Sequence, residues 1–336
     1  MTDYSGKRVL VTGAEGFIGS HLTTDLVRRG ARVTALSQYN SFGTLGWLDD
    51  LPDDIFRELK IVSGDVRDPH FVRQLTEELD VVFHLAALIA IPYSYVAPQS
   101  YVDVNVTGTL NILEACRSGS VGRMIHTSTS EVYGTALFTP ITEQHPLQGQ
   151  SPYSASKIAA DHMVEAYCRS FEVPAVILRP FNTFGPRQSE RAVIPTVIRQ
   201  MLDPACDDVR IGDLAPVRDF NYVEDIADAF CRIGLADSPE FGRAYNAGSG
   251  RAVTIGEMID IVRGIVGSNK AIVEESHRRR PSKSEVFELI AAAARIEEAC
   301  SWKSSVGLEA GLARTVEWWR ARLAAGQVRR DAGYQV

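Results

Sequence analysis

The 336-residue chain is poor in cysteine, and the five it has make no pattern. Cys116, Cys168, Cys206, Cys231 and Cys300 show no C-x-x-C spacing and leave an odd number, which speaks against a disulfide framework or a zinc site. Four fall in stretches that read as helices and Cys206 in a loop, as expected of reduced packing thiols. Positive charge is also scarce: 35 Lys and Arg against 42 Asp and Glu give a net charge of −7 and a pI near 5.6. That balance argues against a nucleic-acid footprint or an anionic-membrane partner. The one dense basic run, His277-Arg-Arg-Arg280, reads equally as a solvated turn or a phosphate neighbour. No apolar run approaches the about 18 residues a membrane helix needs, and no signal peptide precedes the first strand. Together these absences lead us to expect a cytoplasmic protein with no metal, nucleic-acid or membrane partner.

What is present is a repeated rhythm. Short β-branched runs at residues 7–12, 32–36, 59–62, 81–85, 123–127 and 175–179 alternate with amphipathic stretches. Such alternation predicts an α/β fold, a doubly wound parallel (Rossmann) sheet with right-handed crossovers. After Arg179 the rhythm breaks at Pro180, Gly185, Pro186, Pro195 and Pro204. A smaller, interleaved substrate-binding lobe is expected from there, over the carboxyl ends of the strands. We divide the chain into a dinucleotide-binding domain, residues 1–178 plus about 219–236, and a lobe of about 179–218 and 237–336. Residues 222–235 read as a helix returning to the main sheet.

Two motifs carry the chemistry. Gly13-Ala-Glu-Gly-Phe-Ile-Gly19 follows the first strand and opens a helix. Glycines there allow a tight turn and close approach to a pyrophosphate, which the helix N-terminus attracts. Tyr153-Ser-Ala-Ser-Lys157 places a phenol and an ammonium one helical turn apart. A phenol with an ordinary pKa near 10 is a poor base, but the adjacent Lys157 cation, together with a positive nicotinamide ring, is expected to favour phenolate. In this order on one α/β chain, the motifs predict a nicotinamide oxidoreductase site.

Expected cofactor contacts are Gly13, Gly16, Phe17, Ile18 and Gly19 in the loop, Ser37 after the second strand, and Asp65 and Val66 after the third. Leu85, Ala86 and Ala87 after the fourth strand join them, with Tyr153 and Lys157. The second strand ends in Ser37-Gln38 rather than a ribose-binding carboxylate, and residues 36–56 hold no Arg or Lys for a 2′-phosphate. NAD is therefore expected over NADP. Asp65 suits an adenine amino group or, equally, an Asx turn. The fifth strand runs into Thr127-Ser-Thr-Ser-Glu-Val-Tyr-Gly134, where Thr129 can hydrogen-bond a sugar oxygen and Glu131 can act as a base.

With these residues in hand, the chain resembles an extended short-chain dehydrogenase/reductase of the NAD-dependent epimerase/dehydratase family. It is most similar to NDP-hexose 4,6-dehydratases of the legionaminic-acid pathway type. Leu36-Ser-Gln-Tyr-Asn-Ser-Phe42, His84-Leu-Ala-Ala-Leu-Ile-Ala-Ile-Pro-Tyr-Ser94 and Arg179-Pro-Phe-Asn-Thr-Phe-Gly-Pro-Arg-Gln188 carry the likeness. The resemblance implies that Thr129, Tyr153 and Lys157 oxidise the sugar C4 and that Glu131, beside Ser130, drives the elimination. It also implies Asn182, Arg218 and Arg280 near a UDP- or GDP-linked sugar. Where glucose-type dehydratases carry Asp-Glu, this chain has Ser130-Glu131, as GDP-mannose-type dehydratases do. The same Thr-Ser-Glu pattern also occurs in UDP-glucuronate decarboxylases, and a UDP-glucuronate 4-epimerase would use the same first step. For those alternatives Arg187 and Arg191 are the cations expected to meet a C6 carboxylate. Finally, Leu110, Ile112, Leu113, Ile158, Met163 and Val164 look too many for one internal face, which predicts a homodimer through a four-helix interface.

Overall fold

The structure, a computed structural model, describes residues 3–328 apart from residues 120, 279–280 and 282–283. Seven parallel strands form its main sheet: β1 (Arg8–Thr12), β2 (Arg32–Gln38), β3 (Lys60–Gly64), β4 (Val81–His84), β5 (Arg123–Thr127), β6 (Ala175–Pro180) and β7 (Ala244–Ala247). Their order is β7-β6-β5-β4-β1-β2-β3. The order reverses between β1 and β4, so a crevice opens at the carboxyl ends there, where such sheets bind ligands.

Strand periodicity sends alternate side chains to opposite faces. On β1, Val9 and Val11 pack against Leu22 and Leu26 of the helix Phe17–Arg28 and Phe230 of the helix Val223–Gly234. Leu10 faces the other way, with Val82 and Met124, toward the helices Gly108–Ser118 and Pro152–Phe171. A separate core joins the helices Val193–Leu202, Ile255–Val266 and Leu308–Ala324 through Val197, Met258, Leu312 and Trp319.

One expectation changes. β7 pairs in parallel with β6, Ala244 opposite Ile177, so residues 244–247 belong to the sheet rather than to the smaller lobe. The helix that carries Leu110, Ile112 and Leu113, Gly108–Ser118, is preceded by a wider π-helical segment, Val102–Thr107, a feature that tends to mark functional sites. Of the apolar residues offered as a dimer face, Ile112, Leu113 and Val164 are fully buried within the chain, while Leu110, Ile158 and Met163 are partly buried. Both helices have an inward face on the sheet, which takes up half of the six.

Candidate active site

The glycine loop is held by contacts no other residue allows. Gly13 has a φ of +68, and a Cβ on it would lie 2.8 Å from the Ala86 nitrogen. One on Gly19 would fall 2.1 Å from the Gly13 oxygen. Thr12 ties the ends of β1 and β4 together. Its Oγ1 accepts from the Leu85 and Ala86 amides, both at 3.1 Å, and lies 2.8 Å from His84 Nδ1. The helix Phe17–Arg28 begins at Gly16 with no side-chain cap, leaving its first amides for an anion. A cleft of about 450 Å³ opens over this loop, lined by Gly13, Gly16, Phe17, Ile18, Gly19, Asp65, Val66, Leu85, Ala86 and Ala87. An uncapped helix end facing apolar walls fits a dinucleotide.

Ser37 is the exception among the expected cofactor contacts. It is buried, and the cleft is lined by its neighbours Leu36 and Gln38 instead. Alternation along β2 turns Ser37 to the other side. Asp65 faces the cleft but makes an Asx turn, its Oδ1 accepting the Arg67 amide at 2.9 Å, and its carboxylate forks onto the Arg67 guanidinium. The side-chain bond from Arg67 holds its pKa low.

The other half of the cleft is lined by Thr129, Ser130, Glu131, Tyr153 and Lys157. Thr129 caps a short 3-10 turn, Ser130–Tyr133, accepting the Glu131 amide at 3.2 Å, which turns Glu131 toward the cleft. The 20-residue helix Pro152–Phe171 starts at a capping box, Ser151 with Ser154, and at Pro152. Its phase puts Tyr153, Lys157 and Asp161 on one buried face. Tyr101 packs edge-on against Tyr153 with ring centroids 6.2 Å apart.

The Tyr153 phenol has its pKa raised rather than lowered. Burial dominates; a hydrogen bond with Thr129 opposes it, and the Glu131, Tyr101 and Asp161 charges add to the rise. In the protein alone, desolvation of the phenolate outweighs the favourable contacts. Burial also lowers Lys157, to about 8, against the supporting charge of Asp161.

Asp161 is the residue the motif reading missed. Burial raises its pKa, but His126 and the Arg179 charge overcome this and hold it at about 2. Arg179 Nε and Nη2 donate to its Oδ2 at 3.1 and 2.9 Å, and Ser128 Oγ donates to the same oxygen at 2.8 Å. His126 Nε2 lies 3.4 Å from Oδ1. Burial lowers the imidazole to about 4, so it stays neutral. Arg179 also donates to Tyr133, whose hydroxyl donates to Asn246. Position 161 follows Lys157 by one turn, which was the available signal. Asn105, in the π-helical segment, was missed too. It donates to Leu88 O and Ser156 Oγ, each at 2.9 Å, and accepts from the Leu88 amide at 2.8 Å.

The residues expected to meet substrate separate. Asn182 lines the cleft, and its Oδ1 is buried with no hydrogen-bond partner; Gln188 Oε1, nearby, is in the same state. Arg191 is exposed, and its charge lowers the pKa of the Tyr101 phenol, which burial has raised to about 12. Arg187 does not line the cleft. It takes a left-handed φ of +69 and sits by His21, which burial and the Arg187 charge lower to about 4. Arg218 is buried against Glu285 at 3.3 Å, with Nη1 donating to Val217 O at 3.0 Å. Arg280 lies outside the described residues. Among those described, no group of His, Cys, Asp and Glu could hold a metal, and no helix is long and apolar enough to cross a membrane.

A family model described as GDP-mannose 4,6 dehydratase matches residues 10–315. The dTDP-D-glucose 4,6-dehydratase of Mus musculus is 31% identical over 330 residues, covering 94% of this chain and 89% of its own. The UDP-glucose 4-epimerase of Mycolicibacterium smegmatis is also 31% identical, over 319 residues, 93% of this chain and 98% of its own. Among solved structures, the dTDP-glucose 4,6-dehydratase of Streptomyces venezuelae with NAD bound superposes with a TM-score of 0.84. It is 29% identical and covers 95% of this chain and 98% of its own.

Proposed function

The chain belongs to the GDP-mannose 4,6-dehydratase family, and from that premise we propose that it is an NAD-dependent NDP-hexose 4,6-dehydratase working through a 4-keto sugar. The observation that carries the reading is the carboxylate of Glu131 in the same cleft as Thr129, Tyr153, Lys157 and the glycine loop. Simple oxidation and reduction at C4 has no use for a second base there; removal of a C5 proton beside a ketone requires one.

Bound NAD supplies the acceptor and donor of the hydride that leaves C4 and returns to C6. Tyr153 takes the proton of the C4 hydroxyl. Thr129, hydrogen-bonded to Tyr153, steadies that oxygen, and Lys157 compensates the phenolate charge. The new ketone acidifies C5–H, Glu131 removes that proton and returns it to the C6 oxygen, and the C6 hydroxyl departs as water. Ser130, buried beside Glu131, offers a hydroxyl along that path. Asn182 and Gln188 accept hydrogen bonds from the nucleotide-sugar, whose base is uridine, thymidine or guanosine.

A glucuronate 4-epimerase or decarboxylase would need a cation at C6. Arg187 lies by His21 instead, which leaves Arg191 alone for that task and favours dehydration. We further propose that the protein is cytoplasmic, its five cysteines being unpaired. We also propose that it is a homodimer through the faces its two long helices leave outward, Val102, Val106 and Thr107 on one, Ala155 and His162 on the other.

The test is NMR of the product formed from UDP-, dTDP- and GDP-hexoses. A 4-keto-6-deoxy sugar from one of them is expected. Product inverted only at C4, with C6 oxygen retained, would replace the dehydratase by an epimerase.

A further inference from the structure

Glu15 has no part in the chemistry above, yet it stands in the cleft. Its side chain reaches from the glycine loop to the end of β2, where Oε1 accepts the Gln38 amide at 2.9 Å. Its other oxygen, Oε2, is buried and has no hydrogen-bond partner. The backbone of the residue is held too: Trp47 N donates to the Glu15 carbonyl at 3.0 Å. Gly46 packs so closely that a Cβ there would lie 2.8 Å from that carbonyl oxygen and 3.0 Å from the Glu15 Cβ. Beyond Gln38 the chain is fixed by Asn40, which donates to Thr44 O at 2.7 Å and accepts from the Phe42 and Thr44 amides. Burial raises the Glu15 pKa, opposed by the Gln38 amide and by the amide of Glu15 itself.

A buried carboxylate oxygen with no donor is costly to keep, and this one is braced from behind at one particular place. That place is the carboxyl end of the second strand, where sheets of this topology meet the adenosine ribose, ordinarily through an acid on the strand itself. Here β2 offers no acid, and Ser37 is turned away. Resting on the NAD reading above, we propose that Glu15 supplies the missing ribose acceptor from the glycine loop. Oε2 takes the hydrogen bond of the adenosine 2′-hydroxyl, and the negative charge turns away a 2′-phosphate. Glu15 is thus the determinant of NAD over NADP.

Calorimetry on cofactor-stripped protein tests this without turnover, using NAD, NAD lacking the adenosine 2′-hydroxyl, and NADP. Hydrogen bonds to charged groups contribute about 1.5–3 kcal/mol, so wild-type protein should bind the 2′-deoxy compound roughly 10- to 100-fold more weakly than NAD. Glu15→Gln keeps an oxygen for the Gln38 amide and removes the charge. It should lose most of the discrimination between NAD and its 2′-deoxy form, and bind NADP more tightly than wild type does. Equal wild-type affinity for NAD and the 2′-deoxy compound would overturn the proposal with no variant needed. So would a folded Glu15→Gln protein, judged by an unchanged melting profile, that keeps both wild-type ratios. Wild-type protein that binds neither NAD nor NADP would overturn the cofactor reading itself, and this inference with it.

Discussion

The helix Pro152–Phe171 brings to the cleft side chains already engaged with the fold, whereas residues 182–188 bring acceptors with nothing to accept. On the helix, Ser156 bonds Asn105 and Asp161 bonds Arg179 and Ser128. On the opposite side, Asn182 Oδ1 and Gln188 Oε1 are buried and unmatched. The contrast separates two tasks. Groups that must stay aimed through a reaction cycle are fixed by a second layer of bonds. Groups that recognise a ligand are left with valences only the ligand can fill, which is how hydrogen-bonding sites reject partners lacking the right donors.

The contrast can be broken first at its rigid end. Tyr153→Phe removes the proposed proton acceptor for the C4 hydroxyl. Turnover should fall by at least the 10²–10⁴-fold typical of a lost general base, with no reduced cofactor visible at 340 nm on adding substrate. Asp161→Ala tests the second layer. It leaves the Arg179 guanidinium buried without its carboxylate, which should lower unfolding free energy by about 3–5 kcal/mol in a denaturant titration. A loss below about 1 kcal/mol, the range of exposed pairs, would mean the network is not holding the helix.

Lys157 sharpens the same point through pH. Its folded pKa of about 8 lies below the ordinary 10.5. The unfolded chain therefore binds the extra proton across that interval, and this residue's contribution to stability rises as pH increases from about 8 to about 10.5. Activity moves the other way, because the ammonium that compensates the phenolate is lost above about 8. The rate should show a falling alkaline limb there. Asp161→Asn should shift the limb to lower pH, since the Asp161 charge supports the protonated form. The smallest effect is expected on the recognising side. Asn182→Ala should raise KM several-fold to about tenfold, as for one neutral hydrogen bond, with kcat nearly unchanged. A drop in kcat with unaltered KM would move Asn182 into the chemistry.

The same division explains what could be read from the chain in advance. The strands, the glycine loop and the Tyr153–Lys157 pair are local patterns, and all of them reach the cleft. Ser37 was misplaced by a single residue, because strand alternation decides which of Leu36, Ser37 and Gln38 faces inward. Arg187 takes a left-handed φ and does not line the cleft; the charges acting on it are those of Asp50, Arg28 and Glu224. Counting apolar residues on the helices does not say what covers each of them: Ile112, Leu113 and Val164 are buried in the core of the chain, whereas Leu110, Ile158 and Met163 stay partly exposed. Glu15 sat inside the quoted glycine motif, but its reach to Gln38 depends on how β1 and β2 lie side by side.

The central claim is that Glu131 makes this site a dehydratase, and Glu131→Gln with paired readouts tests it most directly. Reduced cofactor should still accumulate at 340 nm on adding the substrate found by NMR, because C4 oxidation by Tyr153 is intact. Formation of 6-deoxy product should fall by roughly 10²–10⁴-fold for want of the C5 base. A variant that makes 6-deoxy product at close to the wild-type rate would contradict the account.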